Sequence, residues 1–112
     1  MKKPIYVPDR GDIVWLQFNP QSGHEQAGHR PALVLSPVNY NRASGLMLCC
    51  PMTSQKKGYP FEVVVNDDPH QTSVVLADQV KSLDWKTRRA VKKGTASSNV
   101  IMETLSKLQT LL

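Results

Sequence analysis

The chain has 112 residues, 40% hydrophobic and 21% charged, an ordinary balance that excludes a disordered, fibrous or repeat protein and implies one domain, residues 1–112, built on a single core. Fourteen Lys and Arg against nine Asp and Glu leave a net charge of +5, which favours anionic partners without singling out nucleic acid. At the N-terminus two lysines precede apolar residues interrupted by Pro4 and Pro8, and no stretch reaches transmembrane length, so a cytoplasmic protein with reduced thiols and no membrane span is expected.

In chain order, residues 12–18 form a β-rich run of Ile13, Val14, Trp15, Leu16 and Phe18 between Gly11 and Asn19-Pro20, which predicts a strand. Residues 19–29 follow as a polar stretch with Pro20, Gly23 and Gly28 and no apolar period, long for so small a domain and therefore a candidate functional loop. Residues 31–36 and 46–50 are short apolar runs of barrel-interior type, separated by the turn-rich PVNYNRASG and expected to pair as a hairpin. Cys49 and Cys50 fall in the second run, where neighbours point to opposite faces, so no disulfide joins them.

Residues 61–65 and 74–77 are two further strand candidates, joined by a turn at Asn66-Asp67-Asp68-Pro69. Residues 80–85 read as strand or as a short helical turn. Ile101, Leu105, Leu108 and Leu112 then recur at spacings of four, three and four, which predicts an amphipathic helix capped by Ser97 or Ser98, with Glu103 and Lys107 one turn apart on its outer side. Several short strands before one terminal helix give a mainly β fold: a small barrel or strongly bent sheet whose helix covers one opening.

Arg30 opens one strand of the expected hairpin and Thr53 follows the end of the other. Their residue numbers sum to 83, which centres the hairpin inside the turn segment and sets the two residues nearly opposite, with Cβ atoms about 5 Å apart. A guanidinium beside a hydroxyl at a sheet end suits one phosphate. In RNA the 2′-OH is a built-in nucleophile, and an enzyme need only assist its deprotonation, stabilise charge on the phosphorus oxygens and help the 5′-oxygen leave. Arg30 suits the second task and not that of a base, because a guanidinium stays protonated.

Glu25 is the loop carboxylate best placed to approach the same phosphate, as base or orienting group. His24 and His29 flank it, and a His pair could divide acid and base roles. Read without a phosphate, Arg30 is a strand-end salt bridge and the histidines are exposed passengers. Lys56 and Lys57 beside Gly58 and Tyr59 form a small basic-aromatic cluster fit for phosphates and a stacked base. Lys86, Arg88, Arg89, Lys92 and Lys93 form a second basic stretch that reads equally as a nucleic-acid surface or a solvated rim. The adjacent cysteines and the scattered His24, His29 and His70 match no ligand spacing, and His24 to His29 holds one residue too many for HExxH. Neither metal nor cofactor is expected.

Tyr6-Val7-Pro8-Asp9, Gly11-Asp12, residues 23–37 (GHEQAGHRPALVLSP), residues 51–61 (PMTSQKKGYPF), residues 76–82 (LADQVKS) and Lys92-Lys93-Gly94-Thr95 run in order over nearly the whole chain. Together they resemble the MazF/PemK (Kid) family of toxin endoribonucleases, most of all its enterobacterial MazF branch. The resemblance implies an SH3-like barrel of the MazF/Kid/CcdB type, a homodimer, and metal-independent cleavage of single-stranded mRNA at selected, ACA-like sites, leaving 2′,3′-cyclic phosphate and 5′-OH ends. It places the essential arginine of G-x-R-P on Arg30, the threonine of P-x-T on Thr53 and the flap glutamate on Glu25. It assigns RNA contacts to His29, Lys56, Gly58, Tyr59, Pro60, Phe61 and Gln79. The implied partner is a MazE-like antitoxin whose acidic C-terminal tail competes with RNA for the basic groove. A gyrase poison on the same fold, like CcdB, is the nearest alternative, but that mode depends on a C-terminal Trp-Gly-Ile and this chain ends in Leu111-Leu112. A non-catalytic RNA-binding barrel is the third reading, and it has no need of Arg30 beside Thr53 under a loop.

Overall fold

Apolar residues on both faces of the same strands mean that neither face can be left to water, and the structure covers both. The computed structural model describes residues 5–18, 28–68 and 70–112, with Asp67 and Asp68 described for their backbone alone. Its strands are β1 (Asp12–Gln17), β2 (His29–Val34), β3 (Leu46–Thr53), β4 (Glu62–Asp68), β5 (Gln71–Leu76), β6 (Lys81–Asp84) and β7 (Val91–Thr95). A helix α1 (Val38–Ser44) links β2 to β3, a 3-10 turn (Ala77–Gln79) precedes β6, and α2 (Ser98–Gln109) ends the fold. All the pairings are antiparallel, and the sheet runs β4-β5-β3-β2-β1-β7 with β6 paired to β3 off this path. The result is a curled half-barrel closed at one end by a helix.

The side-chain alternation of the strands sorts the interior into two clusters, a correction to the single core expected from length. Val14, Leu16, Phe18, Ala32, Val34, Met47, Cys49, Leu83 and Trp85 pack on one face. Leu33, Leu35, Cys50, Met52, Val63, Val75, Ala77 and Ala96 pack on the other, where Val100, Ile101, Leu105 and Leu108 of α2 cover them. Cys49 and Cys50 thus stand in different clusters, both free and fully buried.

β2 and β3 pair with Ala32 opposite Pro51, Leu33 opposite Cys50 and Val34 opposite Cys49, the register of index sum 83 that the sequence predicts. Their connection is not a turn, however, but the two-turn helix α1. Turn-forming residues hid it, and a helix so short is marginal alone. Tertiary bonds hold it: buried Asn41 donates through Nδ2 to the Pro8 and Ser36 carbonyls (2.7 and 3.0 Å) and accepts from Ser36 Oγ (2.6 Å), while its backbone carbonyl accepts from Trp85 Nε1 (2.8 Å). Gly45 ends it with φ 76° and donates its N–H to the Asn41 carbonyl.

Other elements sharpen or extend the expectations. β4 runs through Asn66 and Asp67 to Asp68, which lies opposite Gln71, so the turn is tighter and later than Asn66-Asp67-Asp68-Pro69 suggested. The open choice over residues 80–85 resolves to β6, with the helical turn before it. β7 carries Lys92 and Lys93 and shows no apolar period; pairing with β1 is what makes it a strand. Ser97 caps α2, accepting from the Val100 N–H at 3.3 Å, and Glu103 meets Lys107 at 3.1 Å, but Leu112 lies beyond the helix and is 94% exposed.

Candidate functional site

Strand ends, loop residues and β7 meet at one end of the sheet around a cavity of about 580 Å³. Arg30, in the second position of β2 and opposite Leu16, and Thr53, the last residue of β3 and opposite Val74, both line it. His29 stands there too, edge-on to Trp15 with ring centroids 4.8 Å apart. The Thr53 hydroxyl oxygen accepts the Gln55 N–H at 3.2 Å, which keeps the hydroxyl hydrogen available as a donor. His24 and Glu25 lie outside the described residues.

Lys93 was not singled out from the rest of its basic stretch, and the structure separates it. The β1–β7 register shifts between Ile13 and Val14, so that Gly94 and Lys92 are the paired residues and Lys93 is the extra one of a bulge. Its ammonium sits 5.1 Å from the Trp15 ring centroid and lines the cavity. Lys92 turns instead to buried Asp12 at 3.5 Å, Lys86 lies over Trp85, and Arg88 donates to the Gln17 carbonyl. A run of charge carries no sign of such sorting.

A second cleft of about 620 Å³ adjoins the first and shares Thr53 with it. Gly58, Tyr59, Pro60 and Gln79 line it, whereas Lys56 and Phe61 do not; Phe61 backs it by packing its ring 5.9 Å from that of Tyr59. The Asp78 charge and the hydrogen bond to its carboxylate raise the Tyr59 hydroxyl above the ordinary phenol range. Gln79 Oε1 is buried and has no hydrogen-bond partner among the described residues.

Glu62 organises this wall, and sequence reasoning missed it. Its buried carboxylate accepts the N–H groups of Lys57 (3.1 Å), Gly58 (2.9 Å) and Tyr59 (3.2 Å), and its backbone carbonyl accepts Lys107 Nζ from α2 at 2.8 Å. Gly58, at φ 79°, supplies the left-handed residue that lets three successive N–H groups converge. The one available signal was an acid just after a Gly-containing loop.

Chemically, the first cavity offers a guanidinium, a hydroxyl and an ammonium to an anion, and the second offers an aromatic ring and an amide to a base. Among the described residues no three His, Cys, Asp or Glu side chains gather into a metal-binding group, and no helix is long and apolar enough to cross a membrane.

Residues 9–112 match the family model described as the PemK-like, MazF-like toxin of type II toxin-antitoxin systems. The chain is 51% identical over 107 residues to the endoribonuclease toxin MazF of Escherichia coli K12, covering 96% of each, and 39% identical to the endoribonuclease toxin ChpB of the same strain, covering 93% of each. Its fold superposes with a TM-score of 0.89 on MazF from Deinococcus radiodurans, at 54% identity over 96% of this chain and 97% of that one. A MazE-MazF complex from the same organism matches with a TM-score of 0.82 and 48% identity, covering 96% of each chain.

Proposed function

The chain belongs to the PemK-like, MazF-like family of type II toxins, and from that premise we propose that this endoribonuclease cuts single-stranded mRNA at selected sites, without a metal ion, at a phosphodiester held by Arg30 and Thr53. The observation that carries the reading is the placement of those two residues in one cavity at the sheet end. The guanidinium stabilises charge on the non-bridging oxygens as the 2′-OH attacks phosphorus, and the Thr53 hydroxyl adds a donor. The new 2′-O–P bond closes a 2′,3′-cyclic phosphate as the P–O5′ bond breaks; the 2′-OH gives up its proton and the 5′-oxygen gains one. Glu25, from the loop between β1 and β2, acts as the base or the group that orients it.

Selectivity comes from the second cleft. Leaving an acceptor such as Gln79 Oε1 buried and unpaired costs about 1–3 kcal/mol, and a base N–H offered by bound RNA would recover it. Tyr59 gives a stacking surface. Gly58, Pro60 and Phe61 shape the wall, while His29 and Lys56 add RNA contacts. An ACA-like triplet is the expected target. The working form is a cytoplasmic homodimer, and the regulator is a MazE-like antitoxin, supported by the MazE-MazF complexes among the matching structures. Its acidic tail would oppose the +5 charge of this chain.

Incubation with mixed-sequence single-stranded RNA in EDTA, followed by mapping of the new ends, tests the reading. Cyclic-phosphate and 5′-OH ends are expected, with Arg30→Ala slowing cleavage about 10²–10³-fold while remaining folded. Intact RNA beside a trapped gyrase complex would establish the poison instead, and binding without scission the non-catalytic barrel.

A further inference from the structure

α2 covers one end of the half-barrel interior; among the described residues the other end is open. There a cavity of about 570 Å³ runs on from the Arg30–Thr53 cavity, sharing Met52, Ser54, Thr72, Ser73 and Lys93 with it. Its floor is the end of the inner cluster, where Ile13, Met52 and Val65 meet the opening. On β5 the inward row that starts with buried Val75 continues through Ser73 and Gln71, so the face turns from apolar to polar where it reaches the mouth.

Two bulges flank this mouth on opposite walls. One makes Lys93 the extra residue of β7, and the other, between Val64 and Asn66, makes Val65 the extra residue of β4; Val65, Asn66 and Lys93 all line the cavity. Bulges concentrate at barrel rims and beside active sites because they re-aim side chains. Here they turn an amide toward one side of the opening and an ammonium toward the other.

We infer that this mouth is a nucleoside subsite, which takes the base of one nucleotide flanking the cleaved bond, with Gln71 and Asn66 meeting its edge and Lys93 its phosphate. The inference rests on the endoribonuclease reading above and names a site outside the groove residues assigned there. An apolar floor suits the face of a base, and amides offer both donors and acceptors to its edge. Continuity with the phosphate cavity selects RNA as the occupant. Ser73 is the neighbour of Val74, which sits opposite Thr53, so the mouth begins about one residue rise, roughly 3.4 Å, along the strand from the scissile position.

The test uses the full-length protein and a short RNA carrying its mapped cleavage site, in versions with an abasic ribose at each flanking position. For the wild type, base removal at one of these positions should raise KM about 10-fold, as expected for loss of one stacked and hydrogen-bonded base, and leave kcat nearly unchanged. In Gln71→Ala and Asn66→Ala the same removal should matter less, and end-sequencing of a randomised RNA pool should show the base bias flattened at that position alone. Wild-type cleavage that is indifferent to base removal at both flanks, or base bias unaltered in both variants, would overturn the subsite and leave the endoribonuclease reading standing. Absence of cleavage of every RNA by the wild type would overturn that reading, and the subsite with it. Crosslinking of residues 19–27 into the mouth in the presence of bound RNA would show that the chain's own loop is the occupant and would also overturn the subsite.

Discussion

Cys49 and Cys50 are chain neighbours with separate surroundings, because adjacent strand residues face opposite sides of a sheet. Burial pushes both thiols up to about 12 from an ordinary 9.0. The folded chain therefore holds these protons more tightly than the unfolded chain, so their contribution to stability is complete below about pH 9 and is lost as the pH rises toward 12. Urea titrations at stepped pH should show that loss, and a Cys49→Ala/Cys50→Ala variant should show a shallower alkaline decline. The same alternation explains what was legible at this scale: the opposed cysteines and the β2–β3 register both follow from counting along strands, and Arg30 and Thr53 line one cavity. Lys93 was not legible, because a bulge breaks the count, and neither was Glu62, whose partners are backbone N–H groups of a loop that has no period.

Among the elements, the loop between β3 and β4 depends most on a single side chain. Three backbone N–H groups converge on the Glu62 carboxylate, and Lys107 ties the same residue to α2. Glu62→Ala should lower unfolding stability by about 2 kcal/mol in urea titration and raise KM for RNA more than it lowers kcat, since the loop walls the binding cleft and holds no reacting atom. Glu62→Gln, which keeps one acceptor oxygen, should fall between the two. Strong local pattern made β1, β2, β3 and α2 readable. α1 and β7 escaped because their stability comes from partners distant in sequence: Pro8, Ser36 and Trp85 for the helix, and β1 for the strand.

For the whole molecule, the homodimer proposed above should sediment near 25 kDa, twice the 12.5 kDa of one chain, at concentrations where RNA cleavage is measured; a single 12.5 kDa species that cleaves RNA would refute it. A second copy has apolar surface to cover, since Leu48 and Met102 are 41% and 63% exposed. By itself, the sequence determined that the chain is mainly β with a terminal helix, that β2 and β3 pair in one register, and that its motifs are those of the PemK/MazF toxins. Each of these is written in local periodicity or in residue order. Only the tertiary structure decided that the sheet buries both faces, that α2 covers one end of the interior, and that Lys93 lines the sheet-end cavity and Glu62 the cleft beside it. Those outcomes depend on which strands meet and where a bulge interrupts them, and a linear chain does not record distances between residues it has yet to bring together.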